Sequence, residues 1–189
     1  MSSKAGRGIK KGMTLAVIGA MAVGLGATGH MPDGRATPTG LDVPRWITLK
    51  SNRVRARFGP GLDHRILWEY RAAGLPVQVI AETREWRKIC DPDGAVAWIH
   101  RSVASSRLSV FNPSASEAPV LARPRAGAQM RARLSGRSIM SLEECDGDWC
   151  RVRAGKVRGW IARDQVVGGE ETARCDAASP AGPPRGRTR

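Results

Sequence analysis

The chain repeats itself, and this limits the possible folds more than any other feature. Between Arg45 and Val167 a small unit of about sixty residues occurs twice. In the first copy Val77-Gln78-Val79-Ile80-Ala81-Glu82 precedes Trp86-Arg87-Lys88-Ile89. A turn sequence, Asp91-Pro92-Asp93-Gly94, then leads into Val96-Ala97-Trp98-Ile99. In the second copy Ile139-Met140-Ser141-Leu142-Glu143-Glu144 precedes Trp149-Cys150-Arg151-Val152. A shorter turn, Ala154-Gly155-Lys156, leads into Val157-Arg158-Gly159-Trp160-Ile161. The two Trp residues stand twelve apart in one copy and eleven in the other, a difference of one turn residue.

Each copy reads as strands. Val54, Ala56 and Phe58 alternate with Arg55 and Arg57, the period of two of a half-buried strand. Gly or Asp stands at each turn, where a positive φ or a side-chain cap is useful. His64 to Ala73 has a competing helical pattern, but a strand from Leu67 to Arg71 before the Gly74-Leu75-Pro76 turn is preferred. Five short strands in about sixty residues indicate a small barrel. The fold expected is all-β, two small barrels in tandem.

Composition narrows the function classes. Of 189 residues, 41% are hydrophobic and 25% charged, as in a folded protein. Arg outnumbers Lys by 25 to 6 and the net charge is +14, which points to anionic partners. Only one apolar run exists, so a polytopic membrane protein is excluded. That run, Met13 to Ala27, follows Lys4, Arg7, Lys10 and Lys11. The order is that of a secretory signal, and fifteen residues are short for a membrane span. Residues 1–29 are read as a signal peptide or anchor helix that directs the rest to the periplasm or cell surface. Any membrane contact would come only through that segment, if uncleaved. Residues 30–44 read as a flexible leader and 169–189 as a disordered basic tail, with Arg185, Arg187 and Arg189 solvated.

Arg57-Phe58-Gly59-Pro60-Gly61, Trp86, and the Gly94…Trp98-Ile99 strand before a short turn at Arg101-Ser102-Val103 resemble the bacterial SH3 domains. The second copy has the corresponding turn Arg163-Asp164-Gln165-Val166. The whole is similar to exported proteins with tandem domains of this kind, over residues 45–167. The resemblance implies SH3-like barrels at 45–111 and 120–168, joined by a linker at 112–119. It also implies binding of cell-wall peptidoglycan, or of an envelope protein or peptide.

In the second copy Arg123-Pro124-Arg125-Ala126-Gly127 replaces the Gly-Pro-Gly turn. The ligand surface is therefore expected on the first unit, at Arg57, Gly59, Pro60, Gly61, Trp68 and Tyr70. Trp46, Trp68 and Tyr70 have no counterpart in the second unit and are candidates for contact. Trp86, Trp98, Trp149 and Trp160 recur at equivalent positions and read as core. Arg53, Arg55 and Arg57 form the outward face of one strand, either solvated or a track for an anionic polymer. Nucleic acid is not expected as a partner, because an export signal precedes the domains and the Trp residues do not form a spaced stacking row.

Cys145 and Cys150 bracket Asp146-Gly147-Asp148-Trp149. In a hairpin they would face each other at disulfide distance, and an exported protein meets an oxidising compartment. Cys90 and Cys175 leave two readings open: a bond that pins the tail to the first unit, or two unrelated thiols. No second Cys pair and no adjacent His complete a metal site. His30, His64 and His100 are scattered, and no nucleophile–base motif accompanies them. A non-enzymatic binding module without cofactor is the reading.

Overall fold

Period-two alternation builds two sheets of nearly the same design. The computed structural model describes residues 29–170 and 172–184. The expected signal or anchor at 1–29 lies outside the described residues except for Gly29, as do Arg185, Arg187 and Arg189. The first unit contains β1 (Arg45–Leu49), β2 (Val54–Arg57), β3 (Ile66–Tyr70), β4 (Pro76–Glu82), β5 (Trp86–Cys90), β6 (Val96–His100) and β7 (Ala104–Ser105). The second contains β8 (Ser109–Phe111), β9 (Ala118–Leu121), β10 (Met130–Leu134), β11 (Ile139–Asp146), β12 (Trp149–Ala154) and β13 (Val157–Ala162). The segment that also carried a helical pattern is strand β3.

The first sheet runs β3-β2-β6-β5-β4-β1-β7 and the second β10-β9-β13-β12-β11-β8. Apart from the extra edge strand β7 the orders coincide, so β8 plays in the second unit the part of β1 in the first. This corrects the boundary drawn at residue 111: Ser109–Phe111 pairs with β11 and belongs to the second sheet. The supposed linker at 112–119 is no free spacer. The buried Asn112 donates from Nδ2 to the Ser116 carbonyl at 2.8 Å, accepts from the Ser114 amide at 3.0 Å, and so holds a tight turn into β9.

Both cores are aliphatic. Leu49, Val54, Ala56, Val77, Val79, Ile89, Ala97 and Ile99 fill the first, and Val110, Val120, Leu134, Val152 and Ile161 the second. Each Leu, Ile or Val among them contributes roughly 1.5–3 kcal/mol by leaving water. Of the recurring Trp residues Trp86 is buried, as the sequence reading has it, whereas Trp98, Trp149 and Trp160 are only half-buried, a correction to that reading. Ala97 and Ile99 point inward at 0% exposure, so Trp98 between them must point out. Trp160, beside the inward Ile161, is likewise half-buried on the outer face, and so is Trp149. Trp86 is nearly covered, yet lies outside every core cluster.

The leader and the tail also depart from the sequence reading: both are packed. The Glu82 side chain is fully buried, accepts from Thr39 Oγ1 at 2.5 Å and Arg45 Nη2 at 2.5 Å, and forms an ion pair with Arg87 Nε at 3.1 Å. Burial alone would raise its pKa, but the Thr39 hydrogen bond and the two guanidinium groups together hold it below the usual carboxylate value. A buried charge needs such partners, and Thr39 anchors the leader by supplying one. Upstream, the Thr37 amide donates to the Gly29 carbonyl at 2.8 Å and closes a small loop.

The tail lies across β4, β5 and β6. Cys175 is bonded to Cys90 with S–S 2.00 Å. Gln78, buried in β4, donates to the Thr172 carbonyl and accepts from the Arg174 amide, both at 2.8 Å. Lys88 Nζ donates to the Ala177 carbonyl at 2.5 Å, and Val96 and Gly182 exchange two backbone hydrogen bonds. The cause lies in β4, which is buried on both faces. Ile80, Cys90 and Val96 form an outer apolar cluster that Cys175 and Ala177 cover. A tail of Ala, Ser, Pro and Gly cannot build a core, but it can be pinned over one.

Neighbouring residues of β8 join the units. Val110 enters the second core and Phe111 the first, where Ile139 of the second unit also packs. Ser109 Oγ donates to the Gly74 carbonyl at 2.6 Å, Trp46 Nε1 to the Glu170 carbonyl at 2.7 Å, and Arg137 pairs with Asp93 at 3.2 Å.

Candidate functional site

In β2, Val54 and Ala56 are wholly buried, which leaves Arg55 and Arg57 on the outer face of the first barrel. Strand pairing brings β6 beside them, with Arg57 opposite Trp98. The β5–β6 hairpin then sets Trp86 opposite His100, their rings edge to face at 5.3 Å. A cleft of about 380 Å³ opens here, lined by Arg53, Arg55, Arg57, Leu62, Trp86 and His100. Arg53 is partly satisfied by Glu69 at 3.1 Å, whereas Arg55 is exposed and makes no ion pair among the described residues. Glu85 sits at the far end, 2.9 Å from Arg101 and 3.4 Å from His100. The Arg101 hydrogen bond holds its carboxyl below the usual range, so it is charged and already paired.

The six residues expected at the ligand surface separate in space. Arg57 lines the cleft, but its Nη1 is used within the loop, donating to the Leu62 carbonyl at 2.9 Å and the His64 carbonyl at 2.7 Å. It therefore shapes the loop that carries Leu62 into the cleft. Gly59 is buried, and any side chain there would run into the His64 ring, which explains the tight Gly59-Pro60-Gly61 turn. Pro60 is exposed beside Phe58, whose ring lies under Arg65 at 5.1 Å.

Trp68 and Tyr70 do not join the cleft. They pair with Ala56 and Val54, the inward residues of β2, and Trp68 packs against the first core. Tyr70 is buried, and its hydroxyl donates to Asp91 Oδ2 at 3.0 Å. Burial, reinforced by the Asp91 charge, pushes the phenol well above its ordinary value, and burial also raises Asp91. The pair braces β3 against the β5–β6 turn. Arg55, Leu62, Trp86 and His100 were missed as a group. A hairpin centred on Asp93 pairs residue 86 with residue 100, so part of the signal was present.

The outer face of β11, β12 and β13 in the second barrel pairs its own charges. Glu143 binds Arg151 at 3.5 Å, Arg153 at 3.2 Å and Arg158 at 2.8 Å, and Glu144 adds a bond to Arg151 at 3.2 Å. Arg151 also lies over Trp160 at 5.9 Å. The cleft beside Trp149, about 750 Å³, mixes Asp148, Asp164 and Glu170 with Arg163 and Arg174. Its acids outnumber its cations by one, whereas the first cleft is lined by arginines alone among its charged groups. Arg123 to Gly127, in place of the Gly-Pro-Gly turn, is exposed throughout, and the Arg125 amide donates to the Arg123 carbonyl at 2.9 Å. Cys145 and Cys150 pair across β11 and β12 and are bonded, with S–S 2.02 Å. Among the described residues no group of three or more His, Cys, Asp or Glu side chains could hold a metal.

Two small barrels of the same strand order apart from β7, each ending in a 3-10 turn, define a tandem SH3-like protein. The family of bacterial SH3 domains matches residues 50–105 and again 114–168. The chain belongs to that family, whose domain is a binding fold. No curated protein sequence matches the chain. Among solved structures it is similar to NlpC1 and NlpC2 from Trichomonas vaginalis, at 14% identity and TM-scores of 0.31 and 0.30. The similarity covers 66% of this chain, which spans about half the length of either neighbour, 46% and 48% respectively.

Proposed function

We propose that the chain is an exported, non-enzymatic binding module whose first barrel recognises cell-wall peptidoglycan or an acidic envelope peptide. The observation that carries this is the asymmetry of charge between equivalent faces. The first barrel leaves Arg55 without an acidic partner beside an aromatic-walled cleft, while the matching cleft of the second, beside Trp149, carries Asp148, Asp164 and Glu170 against Arg163 and Arg174. An exposed cation beside an apolar wall suits a carboxylate carried on a partly apolar chain. Export fits the cysteines, since all four are in disulfides and no thiol is free. The second barrel supports the first through the shared core at Phe111 and Ile139.

Co-sedimentation with isolated wall sacculi at low and high salt tests the reading. Arg55→Glu and Leu62→Asp alter exposed side chains and should abolish binding with an unchanged circular dichroism spectrum. Wild-type binding should weaken as salt rises, because an exposed charge contact is screened. Wild-type binding by both variants overturns the assignment of the cleft.

A further inference from the structure

A wide groove lies between the barrels, away from the Arg55 cleft, and only the tandem arrangement creates it. Its volume is about 770 Å³. The edge of the first sheet forms one wall, through β1 and the β7 region, and β8 and β11 form the other. Three cations line it, Lys50, Arg107 and Arg153, and no Asp or Glu does. Arg153 is shared with Glu143 at 3.2 Å. Lys50 and Arg107 are exposed and make no ion pair among the described residues.

The rest of the lining is equally specific. Hydroxyls come from Ser105 and Ser141, and the apolar surface includes Leu108, 41% exposed, and Ile139. No aromatic side chain lines it. The walls are fixed to each other: Ser109 Oγ donates to the Gly74 carbonyl at 2.6 Å, and Ile139 packs against the first core. A site held by a hydrogen bond and a shared core is preorganised.

We propose that this groove is a second binding site, and that its ligand is a carboxylate-bearing glycan. A sugar chain presents hydroxyl edges to the serines and C–H faces to Leu108 and Ile139. Its carboxylates match two cations that have no acid beside them. The volume lies within the range of small-ligand sites and admits a few sugar rings. A nucleic acid would seek stacking surfaces that the groove does not offer. The site does not depend on the ligand of the first-barrel cleft.

Isothermal titration of the full chain with polygalacturonate, against neutral dextran, tests the proposal. Polygalacturonate should bind at low salt, with affinity falling steeply as salt rises, and dextran should not bind. Lys50→Ala with Arg107→Ala should weaken binding between about five- and thirtyfold, as expected for two exposed charge contacts. Arg107→Gln alone should give a smaller loss of the same sign. Arg55→Glu should leave this binding unchanged, which separates the groove from the cleft. The proposal is overturned if polygalacturonate does not bind or dextran binds equally well. It also fails if the double variant, with an unchanged melting curve, keeps wild-type affinity. Tighter binding of a single-stranded oligonucleotide, lost in the same variant, would overturn the glycan assignment.

Discussion

Replacing Cys90 and Cys175 together by Ala should cost far more stability than replacing Cys145 and Cys150. The first crosslink closes a loop with a sequence separation of 85, the second one of only 5. Loop-closure entropy removed from the unfolded chain grows with the logarithm of loop length. It amounts to about 4.5 kcal/mol for the long loop and about 2 kcal/mol for the short one. For a chain of this size each kcal/mol moves the melting temperature by about 2–4 °C. The long-loop variant should therefore melt about 9–18 °C below wild type, and the short-loop variant about 4–8 °C below. Releasing the tail also uncovers Ile80 and Val96, which adds to the first figure. Ala is used because Cys90 is fully buried and a hydroxyl there would lack a partner. Thermal unfolding without reductant, followed by circular dichroism, gives both values. Limited trypsin digestion reports the tail: Arg174, held by Glu170 and the Pro92 carbonyl, should become a rapid cleavage site only in the long-loop variant. Equal losses, a reversed order, or unchanged cleavage at Arg174 would refute the strap.

Two further substitutions probe buried polar groups. Glu82→Gln leaves Arg45 and Arg87 without their carboxylate and should destabilise by about 3 kcal/mol, with faster proteolysis around Thr39. The pKa of Glu82 is lower folded than unfolded, so its contribution is present above 4.5 and is lost as pH falls through the folded value. Acid unfolding of the Gln variant should accordingly be shallower than that of wild type. Asp91 acts with the opposite sign, since its raised pKa makes ionisation costly and acid relieves that cost. A steeper acid transition in the Gln variant would contradict the assignment. Tyr70→Phe should cost about 1 kcal/mol for one lost hydrogen bond, while Asp91 keeps the Asp93 and Ala95 amides. Sacculus binding should be unaffected, and a loss of binding in a folded variant would return Tyr70 to the ligand surface.

Local pattern determined much of this protein. Period-two alternation marked Val54 to Arg57 as a strand, the Asp91–Gly94 turn marked a hairpin, and a six-residue window placed Cys145 against Cys150. These features depend on neighbours a few residues apart, which a sequence displays directly. Trp98, Trp149 and Trp160 were misjudged by hydrophobicity, although the strand period assigns Trp98 and Trp160 to the outside once Ile99 and Ile161 are turned in. Other features required the tertiary structure, because they join residues far apart in the chain. That β8 repeats β1 became evident only from the strand order. The tail has no periodicity, and its order comes from Cys90, Gln78 and Val96, some eighty or more residues earlier. Both barrels carry outward arginines in sequence. Only the packing decided that Glu143 neutralises three of them in the second unit while Arg55 stays unpaired in the first, since charge compensation is set by distance in space.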